Sequence, residues 1–433
     1  MTSKWFLFAE AVTNLPESKS GDGDTAEEVR NMRLFHCATD EEIKQGKTTD
    51  IYFVRTKQIL DARNMGKTHV AAEVTTGGLP EGWPWGVLCG IEEAAHLFQG
   101  CPVNVYAMPE GSFFFTHDFR GFREPVMLIE GPYGEFCTLE TPLLGLVCQS
   151  TGVATRSARI KKAAGNKPVL AFGIRRMHPA IAPMLDRASY VGGLDGVSSL
   201  AGAEAIGIEP SGTMPHALII VMGDQVRAWK AFDEVISPEV PRVCLTDTYL
   251  DEKVESVMAA EALKDRLVAV RLDTPKSRKG DFGEIVREVR WELDARGYEH
   301  VKIFVSGGLE EETVKSLGEA GAEAFGVGTS ISNAPTVDFA MDIVEVEGRL
   351  AAKRGKLGGR KQVWRCPACF ADLVLPFSTP QPNCPKCGSK TVAMLRPLIK
   401  DGEIVSCLPK ASEIREYVLE QLGKMPSPGM NCR

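Results

Sequence analysis

No apolar run in this sequence approaches the ~20 residues that a helix needs to cross a bilayer, so no membrane partner is expected. A surplus of positive charge is also missing: 50 Lys and Arg stand against 57 Asp and Glu, for a formal net charge of −7. That balance argues against a nucleic-acid partner held by a broad basic surface, though it leaves room for local basic sites. Internal repeats and low-complexity tracts are absent as well. The stretch Met1–Asn14 has a short apolar core but no small-residue cleavage site, so a secretory leader is not expected and the chain reads as cytoplasmic.

What is present is ordinary for a globular protein, with 44% hydrophobic and 25% charged residues. A length of 433 residues is long for one core, which predicts two or three domains. Of the 12 cysteines, Cys89, Cys101, Cys137, Cys148 and Cys244 are scattered in apolar surroundings. They read as small buried hydrophobes rather than disulfide partners.

Three regions differ in texture. Residues 1–140 are irregular, with short strand-like runs such as Val103–Met108, Ser112–Thr116 and Pro125–Ile129, and predict a mostly antiparallel α+β domain. Residues 141–335 alternate strand and helix. Val169–Ile174, Val243–Thr246, Leu267–Leu272, Val301–Ser306 and Ala324–Val327 lack internal polar alternation, as strands buried on both faces do. Glu252–Lys264 and Phe282–Arg296 place apolar residues on one helical face. That order predicts a parallel sheet with crossover helices, doubly wound or closed as a barrel. Residues 336–433 open with a basic stretch, Arg349–Lys361, and run through a cysteine cluster to a helix at Ala411–Leu422.

Two glycine turns stand out. Gly307 and Gly308 follow a strand and open an acidic-led helix; the next strand ends in Gly326-Val-Gly328-Thr329-Ser330. Glycine lets the backbone approach an anion, and the free amides of a helix start can bind phosphate oxygens. Either turn alone is an ordinary strand-to-helix turn; two in succession favour a sugar phosphate at the C-terminal rim. Asp273, in Arg271-Leu-Asp273-Thr274, ends a strand at the same rim and suits ribose hydroxyls, Mg²⁺-bound diphosphate, or the cap of the next helix. Asp247 admits the same readings. Phe172 followed by Arg175 and Arg176 suits a planar aromatic acid, or a core ring with surface arginines. His216, after Gly212-Thr213-Met214-Pro215, opens a helix; spacing alone does not make it catalytic.

In this order the pieces resemble the nicotinate phosphoribosyltransferase family, in its archaeal and bacterial branch. The resemblance runs from about Thr49 to Arg365 and adds Asp50-Ile51-Tyr52-Phe53-Val54-Arg55, Glu140-Thr141-Pro142-Leu143-Leu144 and Gly193-Leu194-Asp195-Gly196-Val197-Ser198 to the motifs above. It implies an irregular α/β barrel of the type II phosphoribosyltransferases, with an N-terminal α+β domain and a C-terminal zinc-ribbon-like lobe. It also implies an enzyme that joins nicotinate to phosphoribosyl pyrophosphate, with ATP as co-substrate, Mg²⁺, and a phosphorylated histidine matching His216. Phe172 and Arg175, with Arg176, match the base-stacking and anion-contacting group, and Asp195 an acid near the pyridine ring. Arg271 and Asp273 match ribose and phosphate contacts, with Asp247 beside them. Gly307, Gly308, Gly328 and Thr329 match the 5′-phosphate loops. Tyr52 matches an aromatic reaching in from a neighbouring subunit, which implies a homodimer or larger homo-oligomer with shared sites. Lys356, Lys361 and Arg365 resemble a basic segment that contacts pyrophosphate or ATP. The related quinolinate enzyme would want a denser basic pocket, for which Arg156, Arg159, Lys161 and Lys162 are available; the histidine motif weighs against it.

Cys366-Pro-Ala-Cys369 and Cys384-Pro-Lys-Cys387 form two C-x2-C knuckles separated by fourteen residues. Their thiolates suit one structural Zn²⁺, with a rubredoxin-like iron site as the alternative. Zinc ribbons also occur in nucleic-acid binders, so a scaffold protein on an inactive barrel is the reading from a different class.

Overall fold

The computed structural model describes residues 34–425, and the Met1–Asn14 reading lies outside them. The chain divides into two units, Met1–Thr39 and Asp40–Arg433. In the first, residues 34–39 carry no helix or strand. The second holds two large sheets. No helix among the described residues is long and apolar enough to cross a membrane.

The expected antiparallel domain is a seven-stranded sheet, ordered Arg349–Leu350, Phe339–Val346, His69–Thr76, Pro125–Pro132, Asn104–Ala107, Arg396–Lys400 and Glu403–Ile404. Its strands come from both ends of the chain. Phe339–Val346 pairs with His69–Thr76 along nearly its whole length. A boundary at 335 therefore marks chain order only: the residues beyond it complete the first sheet, and only the cysteine segment forms a small sheet of its own.

This pairing also explains the basic stretch. Glu73 and Asp342 are cross-strand partners, and Glu130 and Glu345 both sit opposite Ala71. Like charges placed this close repel. Lys361 pairs with Glu73 at 2.9 Å, Lys353 and Lys356 each with Asp342 at 2.6 Å, and Arg360 with Glu130 at 2.8 Å and Glu345 at 3.4 Å. The stretch is a strap of cations across an acidic sheet.

The second sheet is parallel throughout, ordered Gly196–Val197, Val169–Ala171, Ala324–Val327, Lys302–Ser306, Leu267–Leu272 and Arg242–Leu245. It is an open arc of six strands rather than a closed ring. The stretch Ser211–Pro215 spans its open side: the Ser211 amide donates to Val197 O, and Met214 is buried. Helices cover the outer face, with Trp229 fully buried and donating its indole N–H to Leu245 O at 3.1 Å.

One helix, Glu140–Ala164, serves both sheets. Leu143 and Val147 enter the core of the antiparallel sheet, and Val153, Ala154, Ala158 and Ile160 enter that of the parallel one. The hydroxyls of Thr151 and Thr155 accept the amides of Cys89 and Val87, fixing the first domain to this helix. The C-terminal helix Ala411–Lys424 closes the assembly through Gln421, which accepts the Phe113 N–H at 3.0 Å and donates to Gly111 O at 2.9 Å. Gln421→Ala strands a buried amide and carbonyl, so unfolding in urea is expected to show a loss of about 1–3 kcal/mol; an unchanged midpoint would contradict this account.

Candidate functional site

The C-terminal ends of the parallel strands surround a cavity of about 690 Å³. It is lined by Phe172, Arg175 and Arg176 after the first strand in sequence, Thr213–Ala217 across the open side, Arg271 and Asp273, and both glycine turns. Of the residues singled out from sequence, the cavity gathers Phe172, Arg175, Arg176, His216, Arg271, Asp273, Gly307, Gly308, Gly328 and Thr329.

Arg271 organises the floor. Its Nε donates to Ser306 Oγ at 2.9 Å, Nη1 to Thr213 Oγ1 at 2.8 Å, and Nη2 to Asp273 Oδ2 at 3.0 Å. Its guanidinium lies 5.4 Å from the Phe172 ring centre. Ser306 donates in turn to Asp273 Oδ1 at 2.8 Å. Both carboxylate oxygens of Asp273 are thereby engaged, and the charge is set at one position on the rim.

Asp247 lies directly beneath. Its Oδ2 accepts the Asp273 amide at 2.6 Å and the Thr274 hydroxyl at 3.2 Å. Its Oδ1 is buried without a hydrogen-bond partner, 3.6 Å from His216 Nε2. Burial pushes the Asp247 carboxyl up to about 6, against the opposing pull of His216 and the hydrogen bonds. His216 Nε2 is also 3.9 Å from Asp273 Oδ2, and its Nδ1 is 3.0 Å from Thr248 Oγ1. The histidine therefore opens its helix facing two carboxylates and one hydroxyl.

The glycine turns are required by geometry. Gly307 and Gly308 have φ of +86° and +67°, in the left-handed region. A Cβ on Gly326 would come within 2.5 Å of the Phe172 ring, so this glycine makes the room in which the ring lies. Arg175 and Arg176 form a short 3₁₀ turn in which the Arg176 amide donates to Gly173 O at 3.1 Å; both are exposed, and their side chains make no hydrogen bond or ion pair with another described residue.

Other sequence readings fall elsewhere. Asp195 sits at the opposite end of the strands: it accepts the Val169 amide at 2.8 Å and pairs with Lys161 at 2.8 Å and Arg415 at 2.6 Å. Such a carboxylate anchors the base of the arc and does not reach a ring at the rim. Arg365 is buried and bound to Asp372 and Phe113 O, so it holds a strand pair together and contacts no diphosphate in this cavity. Lys356 and Lys361 belong to the cationic strap and line a separate cavity of about 170 Å³. Tyr52 lies on the helix Ile51–Ala62, more than half exposed, with its hydroxyl donating to Asp50 at 3.3 Å; it does not line the rim cavity.

Sequence reasoning passed over Lys279, Thr248 and Glu255. Lys279 lies in the loop after Asp273, donates to Gly307 O and stands 4.7 Å from the Phe282 ring centre. Burial lowers its ammonium from the usual lysine range, with Asp273 and Asp247 pulling the other way. A cation fastened to the Gly307 turn could have been suspected from the basic run Lys276-Ser277-Arg278-Lys279-Gly280.

The four sulfurs of Cys366, Cys369, Cys384 and Cys387 lie within 4.8 Å of one another. Zn–S bonds of about 2.3 Å in a tetrahedron place sulfurs ~3.8 Å apart, so the donor set fits one such ion.

Comparison with known proteins agrees with this geometry. The chain matches the models of the quinolinate phosphoribosyl transferase N-terminal domain over residues 50–151 and C-terminal domain over residues 153–342. The fold and the rim site thus define a phosphoribosyltransferase. The sequence is 29% identical to a nicotinate phosphoribosyltransferase of Mycobacterium tuberculosis over 396 residues, covering 83% of this chain and 86% of that one. It is 31% identical to the nicotinate phosphoribosyltransferase of Bacillus subtilis over 278 residues, covering 60% of this chain and 54% of that one. The crystal structure of nicotinate-nucleotide pyrophosphorylase from Pyrococcus furiosus superposes with a TM-score of 0.88 at 58% identity, covering 91% of this chain and 99% of that one. Human nicotinic acid phosphoribosyltransferase shares the fold, with a TM-score of 0.68 at 20% identity, over 88% of this chain and 94% of that one. The chain belongs to the nicotinate phosphoribosyltransferase family.

A Gly326→Ala variant tests the cavity wall. The added methyl displaces the Phe172 ring from Arg271, and KM for the substrate bound beside the ring is expected to rise about tenfold or more. Wild-type kinetics would show that the ring's position is immaterial.

Proposed function

We propose that this enzyme joins nicotinate to phosphoribosyl pyrophosphate, giving nicotinate mononucleotide and pyrophosphate in NAD biosynthesis, with ATP hydrolysis coupled through His216. The observation that carries the substrate assignment is the pair Arg175 and Arg176, whose side chains meet no described partner, beside the Phe172 ring 5.4 Å from the Arg271 guanidinium. A pyridine ring stacks on Phe172 while one carboxylate takes a guanidinium. Quinolinate carries a second carboxylate and needs further cations. The helix residues available for that role are engaged elsewhere: Arg156 with Glu81, Arg159 with Glu311, Lys161 with Asp195 and Lys162 with Met425 O. These pairings count against the quinolinate reading, and the gathered rim site counts against an inactive scaffold.

Chemically, the glycine turns anchor the 5′-phosphate and Asp273 meets the ribose hydroxyls. The ribosyl carbon gains positive character as pyrophosphate departs, and the ring nitrogen attacks from the Phe172 side. The protein's main contribution is to hold both partners in line and to exclude water between them. Asp247, with a free buried oxygen, and Asp273 are hard oxygen donors suited to Mg²⁺, which when bound neutralises the diphosphate. His216, beside these carboxylates, is the group positioned to accept a phosphoryl group from ATP. Tyr52, exposed on its helix, would complete the base site of a second subunit in a homo-oligomer. We further assign a structural Zn²⁺ to the four cysteines.

Pyrophosphate release from phosphoribosyl pyrophosphate is expected with nicotinate and to increase with ATP, when nicotinate, nicotinamide and quinolinate are compared side by side. Turnover of quinolinate alone would overturn the assignment. His216→Asn is expected to abolish the ATP stimulation and retain reduced transfer. For the cysteine site, metal analysis should find one zinc per chain, lost in Cys384→Ser; a coloured, iron-loaded protein would refute zinc.

A further inference from the structure

The loop that carries Asp247 does more than end a strand. Residues 248–250 turn back over the start of the helix Glu252–Leu263. The amides of Thr248, Tyr249 and Leu250 all donate to the carboxylate of Glu255, at 3.0, 2.8 and 2.9 Å. Glu255 is wholly buried. A buried carboxylate that accepts three amides from consecutive residues fixes the backbone of all three, because an ionised acceptor gives the stronger hydrogen bonds. The first of those residues, Thr248, puts its hydroxyl 3.0 Å from His216 Nδ1. Asp247, one residue earlier, stands 3.6 Å from His216 Nε2. Both ring nitrogens of the histidine thus face the same short loop, and that loop is held by a single side chain from below.

We propose that Thr248 and Glu255 are positioning residues for His216, with Glu255 fixing the loop and Thr248 fixing the ring's rotation and tautomer. The inference rests on the reading of His216 as the reactive histidine. A hydrogen bond at one imidazole nitrogen orients the ring and leaves the other to react, and the partner of that bond decides which nitrogen carries the proton. Here the hydroxyl rotor of Thr248 can donate or accept, so it follows the ring through a change of state while keeping its place. Neither residue lines the cavity, so neither contacts the pyridine or the ribose.

The test uses the full chain and three variants: Thr248→Val, which keeps the shape and removes the hydroxyl; Thr248→Ser, which restores it; and Glu255→Gln, which keeps the volume and removes the charge. The ring nitrogens of His216 are followed by ¹⁵N NMR at fixed pH, assigned by their loss in His216→Asn, beside the ratio of ATP-stimulated to basal transfer. Thr248→Val should shift the His216 nitrogens and lower the ATP stimulation about tenfold, with KM for nicotinate held within about twofold. Thr248→Ser should restore both readouts, and Glu255→Gln should broaden or split the His216 signals. Wild-type nitrogen shifts in Thr248→Val would overturn the proposal. A wild-type enzyme with no ATP stimulation would instead sink the phosphohistidine reading, while the nitrogen shifts still decide whether Thr248 holds the ring.

Discussion

The rim site depends on Arg271. Its donors reach Ser306 on the neighbouring strand, Thr213 on the stretch that spans the open side, and Asp273 at the end of its own strand, while its guanidinium lies over the ring of Phe172 from a third strand. One planar cation therefore ties the C-terminal ends of three strands and a connecting segment to a common centre. A lysine could not: its ammonium lacks both the fixed fork and the flat face. An open six-stranded arc has no ring of hydrogen bonds to hold its mouth, and this guanidinium does locally what closure does in a full barrel. The carboxylate of Asp273 neutralises it, so the mouth is braced without leaving an unpaired charge.

A second level of order lies beneath the first. Asp273 is held from below by Asp247 through its own amide, Asp247 by Thr274, and the loop after Asp247 by Glu255. Acidic groups outnumber cations in this layer, and burial raises the Asp247 carboxyl accordingly. Such a concentration of negative charge is costly in an empty cleft and well suited to one that receives a cation-bearing diphosphate.

Much of this was legible in the sequence, for identifiable reasons. Strands buried on both faces advertise themselves as unbroken apolar runs, and Leu267–Leu272 and Ala324–Val327 fall where expected. Gly307 and Gly308 mark a left-handed turn that other residues would strain. Charged residues were the weak point, because a residue type does not name its partner. Lys356, Lys361 and Arg365 look like a phosphate-binding run, yet the carboxylates they meet are Asp342 on the strand Phe339–Val346, Glu73 on a strand 288 residues away and Asp372 on the hairpin partner. Asp195 follows a glycine pair as a site residue would, and faces the other end of its strand. Glu255 shows the converse: nothing in the sequence singles it out, and only the fold reveals the three amides that surround it.

The helix Glu140–Ala164 gives the chain a seam that is not a joint. The two matched family models meet at residues 151 and 153, in the middle of this helix. There a Cβ on Gly152 would come within 2.2 Å of Pro335 O, so the chain entering the last sheet strands lies directly against the junction. A rod of 25 residues is roughly 37 Å long, enough to run through both cores without a break. The two halves therefore share one rigid member and cannot swing about a hinge at their boundary. Opening of the substrate cleft is left to the loops of the rim, and Asp40–Arg433 is one compact unit assembled from two modules.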